Sequence, residues 1–180
     1  MMKMKAGSLL AAIALSAALA GCGAADKLPA PSNNTGAAAS PQETTAPTEA
    51  PDTIEAVIYT SDAELLKLTE RTETLSYSSN EELVKAAIDA LRQSGGENEL
   101  SLWEKIEING VKLTADSVTI DVHVPDEARL GAPGEALAIH SLQSTLFQFD
   151  FIQSIQLLID GEKAESLMGH VDLDHPMNRP

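Results

Sequence analysis

Several groups of side chains in this sequence have types and spacings that could support chemistry. His170, Asp172 and Asp174 stand two residues apart. On an extended segment all three would point one way, presenting one imidazole and two carboxylates to a divalent cation. Val171 and Leu173 alternate with them, and the same pattern describes a strand with its polar side in water. These residues are weak metal candidates, and no cofactor is expected. His140-Ser141, with Ser144, could be written as a hydrolase site. The G-x-S-x-G turn that presents a nucleophile is absent, however. Neighbours on a helix also point about 100° apart, so His140 is poorly placed to serve Ser141. His123 lies between Val122 and Val124 and reads as the solvent side of a strand; Trp103 reads as a core or edge plug under the first helix. Glu81, Glu82, Glu97 and Glu99 read as solvated charge. No catalytic residue is expected. There remains Cys22, the chain's single cysteine.

Cys22 closes the run Leu19-Ala20-Gly21-Cys22, behind a basic start with Lys3 and Lys5 and an apolar stretch from Leu9 to Leu19. That order describes a secretory signal, and the apolar stretch is too short to span a bilayer. A cysteine just after the small-residue cleavage motif resembles the lipobox of bacterial lipoproteins. The resemblance implies cleavage after residue 21, diacylglycerol on the Cys22 sulfur and a fatty acid such as palmitate on the new N-terminus. Two or more acyl chains anchor stably where one does not. The expected location is the extracytoplasmic face of the cell membrane, with the membrane reached through lipidated Cys22.

Cleavage would leave 159 of 180 residues and, by removing Lys3 and Lys5, take the formal charge from −15 to −17. So acidic a surface disfavours nucleic acid and is repelled by anionic headgroups. With Cys22 acylated no thiol remains for a disulfide, a zinc cluster or a nucleophile.

The elements that would position these groups follow from composition and periodicity. Residues 22–53 hold the lipidated cysteine and a tether in which Pro29, Pro31, Pro41, Pro47 and Pro51 sit among Ala, Ser and Thr. Such a segment buries too little to offset its ordering entropy and is expected to be disordered. Its length gives a reach of roughly 30 Å as a coil and about 95 Å if stretched. Residues 54–180 form the expected domain. Ile54 to Tyr59 reads as a first strand and Leu65 to Leu75 as a second. Ser79 with Glu82 fits a capping box. The helix after it carries Val84, Ala87, Ile88 and Leu91 on one face, then Arg92, and Gly95-Gly96 stops it. Alternating Ile106, Ile108 and Val118 to Val124 predict a hairpin turning near Thr114 to Ser117, with Asn109-Gly110 a competing turn. Pro133-Gly134 opens a second helix with the stripe Ile139, Leu142, Leu146, Phe149. Ile152 to Ile159 reads as a central strand, with Leu157 and Ile159 buried, and Leu167 to Leu173 as a last strand or arm. The expected class is α+β: a two-layer domain with a mixed, mostly antiparallel sheet and both helices packed on one face.

Val57-Ile58-Tyr59, Thr145-Leu146, the run Ile155 to Gly161 and the ending Gly169-His170-Val171-Asp172-Leu173-Asp174-His175-Pro176 resemble the GerMN domain. That domain occurs in bacterial sporulation and spore-germination proteins and in envelope lipoproteins, and the resemblance covers roughly residues 54–179. Leu100-Ser101-Leu102-Trp103 departs from it, standing where such domains often carry a Pro-Gly segment. The resemblance brings no catalytic residues. It implies a non-enzymatic interaction or assembly domain whose partners are other envelope, spore-coat or germination proteins. The alternatives are a metal-dependent or hydrolytic envelope enzyme, resting on the cluster near the C-terminus, and a receptor for a wall polymer or small ligand.

Overall fold

The computed structural model describes residues 50–96 and 98–180. Cys22, the signal peptide and the tether up to residue 49 lie outside the described residues. Ten elements follow from Asp52, in the order strand, strand, helix, short strand, hairpin, helix, strand and short strand, with one 3-10 turn at Asp126–Ala128 before the second helix. The strands fall into two sheets, not one. The first has the order β2-β1-β3, from β1 (Asp52–Asp62), β2 (Leu68–Tyr77) and β3 (Glu99–Leu100). The second runs β4-β5-β6-β7, from β4 (Glu107–Thr114), β5 (Ser117–His123), β6 (Ser154–Ile159) and β7 (Met177–Asn178). The α+β class and the mostly antiparallel pairing stand as the sequence implied. Only β5 and β6 pair in parallel among the described strands. A parallel pair needs a crossover, and α2 (Ala132–Phe147) supplies it.

β1 begins at Asp52, two residues before the expected boundary, because Asp52 and Thr53 continue the ladder opposite Tyr77 and Ser76. β2 begins at Leu68, since Leu65 sits in the connecting turn at φ 57°. Helix α1 (Asn80–Leu91) starts at the expected Ser79 cap, with the glutamate's return bond made one residue before the position a capping box uses. The Glu82 amide donates to Ser79 Oγ at 3.2 Å, and the Glu82 carboxylate accepts from the Ser78 amide at 2.9 Å. Val84, Ala87, Ile88 and Leu91 are all buried, as a 3.6-residue period demands. The helix ends at Leu91, before the two glycines, and its last carbonyls are capped from another element. Arg71 on β2 donates to Ala90 O at 2.6 Å and Gln93 O at 3.2 Å, placing a cation at the helix's negative end.

The hairpin β4–β5 turns at Ala115-Asp116. Asn109-Gly110 is not a turn but a bulge, where the register slips by one residue. Ile108 and Val111 would face opposite ways on a regular strand three residues apart. The extra residue returns both to the side that packs on the core. On β6 the alternation buries Ile155 and Leu157, whereas Ile159 is only partly covered because the chain turns at Asp160-Gly161. Leu167 to Leu173 is not a strand. It is a series of bends around Gly169, whose φ of +105° suits glycine and breaks the extended path.

The outer edge of β1 is paired by β3 only at Ser61 and Asp62. Helix α2 covers more of it. Gln148, at the C-cap, accepts from the Val57 amide at 2.9 Å and donates to the Val57 carbonyl at 2.7 Å, so its side-chain amide takes the place of a neighbouring strand. Thr145 Oγ1 accepts from the Tyr59 amide at 3.2 Å. An uncovered edge is a template for association. Gln148→Ala is therefore expected to cost about 1–2 kcal/mol by leaving the Val57 peptide unpaired. It should also raise light scattering on storage; an unchanged urea midpoint would show that this clamp is dispensable.

Candidate functional site

The structure separates the expected site residues that it describes. Ser141 is 1% exposed and bonded inward, donating to Ala138 O at 2.8 Å and accepting from the Trp103 indole N–H at 3.1 Å. His140 is exposed on the other side of α2, so the pair forms no nucleophile–base couple. Trp103 is fully buried, as a core plug should be, and its indole N–H also donates to Ala138 O at 2.9 Å. Its polar anchor is thus α2, not α1. His123 is half exposed beside Asp160, at 2.8 Å.

Besides Glu82 at the start of α1, two more of the glutamates read as plain solvated charge are partners. Glu99 accepts from Thr60 Oγ1 at 2.7 Å and stands 3.1 Å from Arg71 Nε. Glu81 pairs with Lys85 and accepts the Leu113 amide. Its carboxyl is held below its ordinary value, first by the Lys85 ammonium and then by that amide.

His170, Asp172 and Asp174 do not share one extended face. Gly169 turns the backbone beside His170, and Asp172 makes an isolated bridge with Ser166. No three His, Cys, Asp or Glu side chains converge on one ion position among the described residues. His170 points instead to Glu135, a residue the sequence reading passed over. Glu135 lies in the first turn of α2 and is 0% exposed. Its Oε1 accepts the Met168 amide at 2.8 Å, and its Oε2 accepts the His170 amide at 2.9 Å and the His170 ring at 3.0 Å. A carboxylate can only accept, so Nδ1 carries the hydrogen. Burial alone pushes the carboxyl up. The Met168 amide, the His170 ring and the amides of His170 and Val171 outweigh it, and the group sits below its ordinary value. Position in the helix's first turn helps, since the helix N-terminus favours an anion. Pro133 signals that helix start in the sequence; the burial of a carboxylate there does not show until the C-terminal arm folds over it.

The same arm is pinned twice more. His175 Nε2 donates to Ala164 O at 2.7 Å while Nδ1 accepts from Gln156 Nε2 at 2.7 Å, an arrangement of the neutral ring. Arg179 donates to Ile152 O at 2.9 Å and Phe149 O at 2.5 Å and lies over the Phe147 ring. His170, His175 and Arg179 are thus engaged with neighbouring groups, while Asp172 and Asp174 are exposed. The arrangement holds the arm against α2 and β6.

Comparison with known proteins agrees with this reading of the fold. No curated protein matches the sequence. Among solved structures, the first GerMN domain of the sporulation protein GerM from Bacillus subtilis superposes with a TM-score of 0.53 at 19% identity, covering 70% of this chain and 98% of that one. A candidate lipoprotein from Clostridium perfringens gives 0.50 at 19% identity, covering 72% and 89%. The tandem GerMN domains of the same GerM give 0.47 at 14% identity, covering 77% of this chain and 48% of that one. Described among the families as "Sporulation and spore germination", the Germane family matches residues 57–165. The ending Gly169 to Pro176 lies beyond that match, although its residues carried part of the resemblance. Because the match takes in more than half of the sequence, the chain belongs to the Germane family of sporulation and spore germination domains.

Proposed function

We propose that this protein is a lipoprotein held on the outer face of the cell membrane by acylated Cys22, displaying a non-enzymatic Germane domain that binds other envelope proteins during sporulation or germination. The observation that carries the reading is the Germane match across the folded domain, downstream of the run Leu19-Ala20-Gly21-Cys22. No helix of the described residues is long and apolar enough to cross a membrane. The anchor in this proposal is the lipidated cysteine. The structural likeness to a candidate lipoprotein is in keeping with it. Polar side chains engaged in holding the fold together support a binding domain over an enzyme.

Fractionation tests the anchor. The wild-type chain should partition with membranes and take up labelled palmitate, while Cys22→Ala should lose both and keep its circular dichroism spectrum. Wild-type protein recovered in the soluble fraction without acyl label would refute the lipoprotein assignment. Complementation tests the interaction role. A chain with His170, Asp172 and Asp174 all changed to Asn should restore what a deletion loses, whereas failure together with lost micromolar zinc or calcium binding by calorimetry would favour the enzyme reading.

A further inference from the structure

The molecule carries a groove of about 280 Å³ between the second half of α1 and the edge strand β4. Its floor is apolar, from Ile88 on the helix and Ile108 and Val111 on the strand. β4 is the outermost strand of its sheet, so one side of its backbone has no strand partner. The hairpin register says which groups face outward. A two-residue turn at Ala115-Asp116 is closed by a hydrogen-bonded pair, here Thr114 and Ser117, and alternation then directs the peptide groups of Leu113 and Val111 away from β5. The Leu113 amide confirms the direction, since it donates to Glu81 on α1 at 3.2 Å. Helix α1 thus satisfies the outward amide at one end of the groove. The next outward peptide, that of Val111, opens into the groove.

Charge marks the groove within an acidic domain. Lys85 and Arg92 line it on the helix side, with Asp89 between them. Lys85 is paired with Glu81. Arg92 forms no ion pair among the described residues, and its Nε is buried without a hydrogen-bond partner. Arg92 is nevertheless partly exposed and lines the groove, so the rest of its guanidinium can meet a carboxylate entering there.

We propose that this groove binds an extended segment of a partner protein by adding a strand to β4, with a carboxylate of that segment received by Arg92. Edge-strand addition supplies affinity through main-chain hydrogen bonds, and the adjacent helix and cation supply selectivity. The inference deepens the interaction reading above and rests on it for its biological meaning. The test reads the groove alone, so it can fail while the anchoring and complementation results stand.

The probe is an N-acetylated, C-amidated hexapeptide of alternating valine and threonine ending in glutamate, titrated into the ¹⁵N-labelled full chain carrying Cys22→Ala. Amide shifts should concentrate at Ile108, Val111 and Arg92 and saturate below the millimolar range. Arg92→Gln should weaken binding about tenfold, the loss of one charge-assisted pair. Val111→Pro removes the outward N–H from an edge strand, where proline is tolerated, and should abolish the shifts with the spectrum otherwise native. The same peptide ending in lysine should bind at least tenfold more weakly. Shifts that map elsewhere, or binding indifferent to Arg92→Gln and to the lysine ending, would overturn the proposal. Concentration-dependent shifts at these residues without peptide would assign the groove to a second copy of the chain and overturn it equally. Should Val111→Pro unfold, the Arg92→Gln and lysine-peptide comparisons decide the matter alone.

Discussion

Trp103→Ala is expected to cost about 3–5 kcal/mol, the usual range for truncating a fully buried aromatic. That is a large fraction of the roughly 5–15 kcal/mol that stabilises a typical domain. Trp103 is 0% exposed and sits on the Leu100-to-Trp103 segment that leads from β3 to β4. Ser101 ties that segment to α1 by donating to Leu91 O at 2.6 Å, and the indole N–H ties it to α2 through Ala138 O and Ser141 Oγ. Truncation therefore opens a cavity and removes the bond that fixes this connection to α2. Trp103→Phe separates the two effects. It keeps most of the ring volume and should cost about 1–2 kcal/mol, because Ser141 still donates to Ala138 O and little is left unpaired. Trp103 is the only tryptophan, so the comparison needs circular dichroism and not intrinsic fluorescence. A Trp103→Ala urea midpoint within error of wild type would mean that the core closes elsewhere.

Glu135→Ala should cost about 3 kcal/mol, because the amides of Met168 and His170 would lose their acceptor at a buried site. The charge makes the effect depend on pH. The native carboxyl is held below its ordinary value, so the charged form is favoured by folding. Its stabilisation is fully present above the unfolded glutamate value of about 4.3. It declines as pH falls through that value toward the native one, and is gone below both. Glu135→Gln should lower stability at neutral pH and flatten the acid limb of the curve. Hydrogen exchange should then show residues 167–171 losing protection before the sheets do. Equal slopes below about pH 4 for wild type and Glu135→Gln would remove Glu135 as the arm's latch.

Much of this fold can be read from local order. The capping box at Ser79 and Glu82, the stripe through Val84, Ala87, Ile88 and Leu91, and the alternation from Val118 to Val124 are periodic features of one segment each. They depend on backbone geometry with a period of 3.6 or 2, which neighbouring residues alone express. The apolar stretch ending at Cys22 lies outside the described residues, and its reading as a leader rests on composition alone. The expected single sheet became two because register and neighbour choice are settled by packing between distant segments. The bulge at Asn109-Gly110 shows the limit well. Those two residues favour a turn or a bulge alike, and the need to keep Ile108 on the core side selects the bulge.

The site residues divide along the same line. Residue type and spacing suggested His170, Asp172 and Asp174 as a set, on the assumption of an extended backbone. Gly169 broke that assumption with a positive φ, and His170 went to Glu135, thirty-five positions away. Gln148 reaches Val57 across ninety-one positions. Arg71 caps a helix nineteen residues further on. In each case a polar group finds its partner because burial makes an unsatisfied donor or acceptor costly, and which groups are buried together is a property of the assembled layers. By itself the sequence determined the helices and the hairpin, since these follow from short-range pattern. Only the tertiary structure decided that His170, His175 and Arg179 hold the C-terminal arm in place, because their partners lie on segments that folding alone brings within hydrogen-bond reach.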